Sequence, residues 1–233
     1  MEDRKSVSTP TDLVCTNSTP QFPGEMNFQI RNCKLDGIEK VRSEERTRLI
    51  PSDYKTDTPF VKDYSLTERP NHLRLHGGPY NLSVPASPTM FLRKQTHQLC
   101  RWKTKLSFQP MIDETEAGTV VWLNYFTYSS IGIRKDSKGR FIRFRPSEGD
   151  VVEHRLDIKT DVTLTVDCGT EYRFGYCEST ESDIHWIGSV SNSAAMAAPP
   201  VGANFTGMML GLYAFGERQR CLAPADFAYA EFR

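Results

Sequence analysis

The stretch DYSLTERPNHLRLHGGPYNLSVPASPTMFLRKQTH, residues 63–97, decides the fold of this chain. Short alternating apolar runs at residues 73–75 and 90–92 flank a loop, 77–88, that holds three prolines. Because proline fixes φ and lacks a backbone N–H, a regular strand or helix is disfavoured between the two runs. The stretch therefore predicts two strands joined by a surface loop, and side chains on such loops often carry function.

Strand patterns recur at a spacing of roughly ten residues from Ile50 onward, as in a sandwich or a barrel. The clearest strand is Leu99–Phe108, where largely apolar positions alternate with charged ones, which is typical of one buried face and one wet face. Residues 161–168 repeat this alternation and turn through Gly169-Thr170 into a further strand. No stretch shows sustained helical periodicity, so the sequence predicts an all-β fold of two antiparallel sheets.

A change in composition near residue 48 divides the chain into two parts. Residues 1–48 are rich in serine, threonine, asparagine, proline and charge, which predicts a poorly ordered arm, or an arm that lays an edge strand on the sandwich. Residues 49–233 carry the strand patterns and form the predicted sandwich. Single β-domains of this size are common.

The composition argues against several classes of partner. Apolar residues make up 38% of the chain, enough for a core, whereas the 29 basic and 29 acidic side chains cancel. A chain without net charge has no global field that favours nucleic acid or an anionic membrane, and no apolar run reaches transmembrane length. The first residues lack the apolar core of a secretory signal, so a cytoplasmic location is expected.

Residues with catalytic or metal-binding chemistry are scattered along the chain. The six cysteines form no Cys-x-x-Cys pair, the five histidines form no paired ligand motif, and no nucleophile elbow, phosphate loop or dinucleotide fingerprint occurs. We therefore expect no metal and no cofactor, and cysteines that are mostly buried free thiols, with an oxidised pair as the alternative. Three carboxylates, Asp113, Glu114 and Glu116, cluster on a predicted turn, where simple solvation is the expected role.

Two predicted strands break the rule of one wet face. In residues 119–126 and 206–215 both alternating sets are mostly apolar or aromatic. A strand that is apolar on both sides must be covered on both sides, by protein or by ligand. Either loops or the N-terminal arm fill the second side, or that side is a concave ligand-binding groove. The groove candidates are Trp122, Tyr125, Tyr128, Met209 and Tyr213, whose side chains suit a sugar or an apolar small molecule.

Several separated motifs together resemble one known family. In chain order they are SLTERPNHLRL (65–75), FLRKQTH (91–97), EAGTVVWLNYFTYSSIGI (116–133), EYRFGY (171–176), FTGMMLGLYA (205–214) and PADFAYAEF (224–232). They resemble, over roughly residues 50–233, the concanavalin-A-like domain at the C-terminus of fungal glycoside hydrolase family 43 β-xylosidases. The resemblance implies a two-sheet antiparallel concanavalin-A-like (jelly-roll) β-sandwich.

The resemblance also implies roles for particular residues. In these β-xylosidases the carboxylates that cleave the glycosidic bond lie on a separate five-bladed propeller, so glycosidase activity is not expected of this chain alone. The family's equivalent of loop 77–88 supplies an aromatic side chain to the mouth of the propeller's active site, and Tyr80 is the only aromatic residue of the loop here. Arg93 and His97 resemble a basic-plus-histidine motif of the family and, with Tyr80, complete the candidates for the groove. A structural hydrogen-bonding pair is the alternative for Arg93 and His97.

Three hypotheses for function follow. The first is a stand-alone module that binds a saccharide or another small ligand in its groove without chemistry. The second is an intracellular enzyme of fungal secondary metabolism, a cofactor-independent cyclase or isomerase, that orients an apolar substrate for a cyclisation or a Diels-Alder-type reaction. Orientation alone lowers a barrier by roughly 7–11 kcal/mol at the upper end. The third is an accessory subunit that completes a separate propeller, and a homo-oligomer is a further candidate assembly.

Overall fold

A computed structural model describes residues 29–32, 63–85, 88–156, 161–178, 183–196 and 207–233, with only the backbone described for 29–32. These residues form fourteen strands and one short helix. In chain order the elements are β1 Gln29–Asn32, β2 Tyr64–Ser65, β3 Leu73–Leu75, β4 Thr89–Lys94, β5 Cys100–Ser107, β6 Thr115–Trp122, β7 Tyr128–Asp136, β8 Gly139–Arg145, β9 Val152–Arg155, β10 Val162–Cys168, β11 Glu171–Glu178, β12 His185–Ser191, α1 Asn192–Ala195, β13 Met209–Gly216 and β14 Ala225–Phe232. The predicted all-β fold is confirmed.

The strands form two sheets. The eight-stranded sheet has the order β12-β11-β10-β5-β14-β3-β2, and β1 pairs in parallel with β14 beyond the point where β3 ends. The six-stranded sheet has the order β4-β13-β6-β7-β8-β9. All pairings except that of β1 with β14 are antiparallel among the named strands, so the predicted antiparallel two-sheet sandwich is confirmed.

The core lies between the two sheets, where each strand contributes alternate residues. Trp102 of β5 is buried there, and its Nε1 donates a hydrogen bond to Thr119 Oγ1 of β6 at 2.7 Å. The Thr119 hydroxyl in turn donates to the carbonyl oxygen of Gly211 in β13 at 2.7 Å. The polar atoms of the tryptophan and the threonine are thus satisfied inside an apolar core, which removes the cost of burying them.

The structure corrects the predicted boundaries of one strand. We predicted a strand over residues 119–126, but β6 covers Thr115–Trp122, and residues 123–127 form a tight turn. The side chain of Asn124 makes this turn, because its Oδ1 accepts hydrogen bonds from the backbone N–H groups of Phe126 at 2.8 Å and Thr127 at 2.9 Å. The predicted turn at Glu116 is also wrong, since Glu116 lies inside β6 and is 4% exposed.

Candidate functional site

The side of the six-stranded sheet that points away from the eight-stranded sheet, here called its outer face, carries a second apolar cluster. Its buried members are Leu82, Met90, Leu92, Val120, Trp122, Tyr128, Met209, Tyr213 and Phe215. Strands β6 and β13 supply five of these side chains and also supply alternate residues to the core. Both strands are therefore apolar on both sides and covered on both sides, as their sequences predict.

The loop between β3 and β4 covers part of this outer face. The carbonyl oxygens of Gly77 and Gly78 accept hydrogen bonds from the backbone N–H groups of Cys221 at 2.9 Å and Gly216 at 2.8 Å, which fixes the start of the loop beside the end of β13. Further along the loop, Leu82 belongs to the apolar cluster and is only 1% exposed. Two explanations were open for the second apolar side: cover by protein, or a ligand-binding groove. At Leu82 the described structure has a covering loop.

The structure brings together five of the predicted groove residues. Trp122, Tyr128, Met209 and Tyr213 are buried in the cluster on the outer face. Tyr125 is half-buried, and its ring meets that of Trp122 edge-on with 5.3 Å between centroids. The side chains of these four buried residues are covered, so they pack inside the outer face and do not form its surface.

The other three candidates lie apart from this cluster. Tyr80 is in the covering loop and is 45% exposed. The guanidinium of Arg93 lies 5.0 Å from the ring centroid of Phe232 in β14, on the side of β4 that faces the other sheet. His97 is exposed beyond the end of β4, where its Nδ1 lies 3.0 Å from Thr96 Oγ1. No hydrogen bond between Arg93 and His97 occurs among the described side chains, so the alternative of a structural pair finds no support either.

A buried polar network also lies on the outer face, and sequence reasoning missed it. Tyr213 Oη donates to Glu116 Oε1 at 2.6 Å, and Arg134 Nη1 donates to Glu116 Oε2 at 3.3 Å. Arg134 Nη2 reaches Glu217 Oε2 at 3.3 Å, and Asn81 Nδ2 of the covering loop donates to Glu217 Oε1 at 3.3 Å. The network therefore ties the loop to the sheet through charged groups.

Burial controls the acid–base behaviour of Tyr213 in this network. Desolvation, with the negative charge of Glu116 as the next cause, raises the pKa of Tyr213 well above 10.0. Tyr213 therefore stays protonated and keeps donating to the carboxylate. Glu116 and Glu217 both pair with Arg134, so their roles in the network are ion pairing and loop attachment.

The polar edge, defined as Ser83, Tyr125, Tyr128, Arg143 and Arg145, lies on the outer face beside the loop: Ser83 is exposed, Tyr125 and the two arginines are half-buried, and Tyr128 is buried beneath them. The hydroxyl oxygens of Ser83 and Tyr128 are 2.7 Å apart and share a hydrogen bond. The Arg145 guanidinium lies 4.0 Å from the centroid of the Tyr128 ring and donates to the Tyr128 carbonyl oxygen at 3.2 Å. On the other side, Tyr128 stacks on Trp122 with 5.4 Å between centroids.

These contacts stack the Arg145 guanidinium, the Tyr128 ring and the Trp122 indole on one another at the margin of the buried cluster. Burial is the main reason that the pKa of Tyr128 is raised. Arg143 lies two residues before Arg145 on the same face of β8, and its Nε is 3.7 Å from Glu153 Oε1 of β9. The polar edge thus presents guanidinium and hydroxyl donors in fixed positions, which is an arrangement suited to binding oxygen-rich ligands.

The described part of the chain has no group of three His, Cys, Asp or Glu side chains that could hold a metal ion. In the same ranges of residues, none of the helical structure has the length and apolarity needed to cross a membrane.

Comparison with known proteins identifies the sandwich. The family described as Beta xylosidase C-terminal Concanavalin A-like domain matches residues 54–233. The non-reducing end alpha-L-arabinofuranosidase BoGH43B of Bacteroides ovatus is 29% identical over 186 residues, which are 76% of this chain and 35% of that protein. Of the solved structures, the Bacteroides ovatus xyloglucan-locus GH43B superposes with a TM-score of 0.68 at 28% identity, covering 76% of this chain and 35% of that one.

A xylan beta-1,4-xylosidase from Bacillus halodurans superposes with a TM-score of 0.65 at 21% identity, covering 73% of this chain and 34% of the other, and shows the fold alone. The chain therefore spans about a third of the length of these relatives. Because the family match covers well over half of the chain, from residue 54 to the last residue, the protein belongs to the family of β-xylosidase C-terminal concanavalin-A-like domains.

Proposed function

We propose that this sandwich is a saccharide-recognising module without bond-cleaving chemistry of its own, and that the ligand contacts the polar edge. The matching family is described as that of β-xylosidase C-terminal domains and one relative is an arabinofuranosidase, so the proposed ligands are oligosaccharides built from xylose and arabinose. The proposal keeps the predicted outer face but moves the contact away from Trp122 and Tyr213, which are covered.

The observation that carries the proposal is the stacking of Arg145 on Tyr128, whose hydroxyl shares a hydrogen bond with Ser83. A guanidinium offers several N–H donors in a fixed plane, and here stacking on Tyr128 restricts its motion. Sugars carry neighbouring hydroxyl groups that accept such donors, and the half-buried ring of Tyr125 offers an apolar surface beside them. Preorganised donors bind better because less side-chain entropy is lost.

The cyclase alternative depends on an open apolar cavity. Four of the five aromatic and methionine side chains that were candidates for lining it are buried against the chain's own atoms, with Tyr213 at 0% exposure, and Tyr125 is half-buried. An apolar substrate therefore has no access to the four buried residues in the described structure. The binding hypothesis is the better supported of the two.

A second proposal concerns the molecular context. The relatives are about three times as long as the part that this chain matches. We infer that the sandwich acts together with a family 43 catalytic domain, either within one polypeptide or as a separate subunit. Mixing the purified chain with such a catalytic domain tests this: co-elution in gel filtration supports the inference, and separate elution of the two proteins contradicts the separate-subunit form of it.

Calorimetric titration with xylo-oligosaccharides, arabinoxylan and xyloglucan oligosaccharides tests the binding proposal. We expect measurable binding of at least one of them by the unmodified protein, and a loss of about tenfold or more in affinity for Arg145→Ala and Tyr125→Ala. Arg173→Ala is the matched control, because Arg173 lies 4.4 Å over the ring of Trp186 in the other sheet. It should bind normally. Failure to bind any of these saccharides, or unchanged binding by Arg145→Ala, contradicts the proposal.

A further inference from the structure

Cys100 and Cys168 face each other across two neighbouring strands of the eight-stranded sheet. Cys100 begins β5, Cys168 ends β10, and the two are direct partners in the antiparallel register. Both side chains belong to the apolar core or pack against it, so they point to the same side of the sheet. Their thiols are neighbours that share a hydrogen bond.

The backbone geometry at this pair is compatible with a covalent bridge. Arg101 exchanges both of its backbone hydrogen bonds with Arg233, at 2.7 and 2.8 Å. Since backbone groups alternate along a strand, Cys100 directs its own N–H and C=O to β10, and directly opposed residues of this kind have Cα atoms about 5.5 Å apart. Disulfides span Cα separations of about 4.4–6.8 Å, so side-chain rotation can close the bond without a shift of the strands.

The two thiols have different access to solvent. Cys168 is 5% exposed, whereas Cys100 is half-buried. The hydrogen bond from Cys168 lowers the pKa of the Cys100 thiol, and the same bond together with burial raises that of Cys168. Cys100 is therefore the thiol that external reagents reach first, and a thiolate is the reactive form. Once a reagent has modified Cys100, the neighbouring Cys168 is in place to attack the modified sulfur.

The described structure contains two further cysteines that lack these features. Cys177 of β11 lies opposite Thr163 in the register with β10. Cys221 follows β13, and burial raises the pKa of its thiol to about 12. Neither has a cysteine as its cross-strand partner, so they serve as matched controls for chemistry at Cys100 and Cys168.

We propose that Cys100 and Cys168 are a redox modification site that closes into an intrachain disulfide when the protein meets a low-molecular-weight disulfide such as oxidised glutathione. The Cys100 thiolate attacks one sulfur of oxidised glutathione and releases one reduced glutathione, which leaves a mixed disulfide. The Cys168 thiolate, formed by loss of its proton to solvent, then attacks the Cys100 sulfur and releases the second glutathione. Two protein thiols are oxidised, and one glutathione disulfide is reduced to two thiols.

The bridge joins β5 to β10 in the interior of the eight-stranded sheet and links residues that are far apart along the chain. A crosslink over a long loop restricts the unfolded chain, so oxidation should stabilise the fold. We expect the oxidised full chain to melt roughly 5–10 °C above the reduced one, and dithiothreitol to reverse the shift.

The test combines peptide mapping of the full chain under non-reducing conditions with melting curves, before and after incubation with oxidised glutathione. We expect one linked peptide pair that contains Cys100 and Cys168 and no retained glutathione. Cys168→Ser should instead keep one glutathione on Cys100, because the second attack is lost, while Cys177→Ser should behave as the unmodified protein. A retained mixed disulfide in the unmodified protein, a link to another cysteine, or no reaction at Cys100 overturns the proposal.

Discussion

The outer faces of the two sheets avoid exposing apolar surface to water in opposite ways. On the eight-stranded sheet, charged side chains pair across strands in contact with water, as Arg101 does with Asp167 and Lys105 with Asp161. On the six-stranded sheet much of the corresponding surface is apolar, and the loop that contains Leu82 covers part of it. A face that is wetted needs no cover, whereas an apolar face requires a second layer of protein.

The difference changes what an ion pair contributes. Arg101 and Asp167 have side chains that are 42% and 23% exposed, so water screens their attraction. The side chains of Glu116 and Arg134, in the network that also holds the loop, are 5% and 11% exposed, and each has lost most of its hydration. Removing one partner from the covered pair leaves a charge without compensation, which is far more costly than removing one from the wetted pair.

The largest expected effect is that of Arg134→Ala. This variant leaves Glu116 buried without its cation, so we expect the free energy of unfolding to fall by about 3 kcal/mol. Arg101→Ala is the matched control on the wetted face and should cost no more than about 1 kcal/mol. Urea denaturation followed by circular dichroism measures both. Equal losses for the two variants contradict the contrast between the faces.

Next in size is Leu82→Ala, which tests whether the loop is a true second layer. Truncating a fully buried leucine leaves a cavity, and we expect a loss of about 2–3 kcal/mol in the free energy of unfolding. Faster proteolytic cleavage within residues 77–85 should accompany it. Tyr80→Ala changes an exposed residue of the same loop and should stay within about 0.5 kcal/mol of the unmodified protein. If Tyr80→Ala destabilises as much as Leu82→Ala, the loop is held by other contacts.

The wetted sheet was the easier one to predict from sequence. In β5 and β10 the alternation of apolar and polar residues has the period of a strand with one buried face, and the observed burial follows it except at Thr165 of β10, which was predicted to face water and is fully buried. The apolar pattern on both sides of β6 and β13 likewise predicted a second covered face. Local patterns are sufficient for such statements, because they depend on neighbouring residues alone.

The polar part of the covered face was not predictable in the same way. Glu116 lies beside two other acidic residues in sequence, which indicates a solvated turn. Its partners Arg134 and Tyr213 are brought to it by strand register, from far along the chain. Arg93 was misplaced for a related reason, since the face that a residue of β4 occupies depends on which alternate set packs on β14. Register and loop path are set by tertiary contacts, and no local pattern encodes them.

A smaller effect is expected at the polar edge, where the loop meets the sheet. Tyr128→Phe removes the hydroxyl that shares a hydrogen bond with Ser83 Oγ, and we expect a loss of about 1 kcal/mol in the free energy of unfolding. Ser83→Ala should cost a similar amount, and the double variant should cost less than the sum of the two, because both single changes remove the same bond. Additive losses indicate that the two hydroxyls act independently.

The smallest expected effect is an acid dependence at Asp226, a carboxylate on the outer face of the eight-stranded sheet that is only 7% exposed beside two arginines, unlike the wetted pairs of that face. Asp226 of β14 accepts hydrogen bonds from Arg74 Nε at 2.7 Å and from Arg69 Nη1 at 2.8 Å. Desolvation by itself raises the pKa of Asp226, but the hydrogen bonds and charges of the two arginines outweigh it, so the pKa lies below its ordinary value of 3.8.

A lowered pKa in the folded state means that the unfolded chain binds the proton more readily. The stabilisation from Asp226 is therefore fully present above pH 3.8 and is lost as the pH falls through the lowered folded value. Melting curves between pH 6 and pH 2 should show Asp226→Asn and the unmodified protein converging in stability as the pH falls below about 4, because protonation makes the two side chains alike in charge. Arg101→Ala should leave this convergence intact, since it changes a different pair on the same sheet. If the difference in stability between Asp226→Asn and the unmodified protein is constant across the whole range, the charge of the carboxylate does not stabilise the fold. The two faces then differ only in how deeply their side chains are buried.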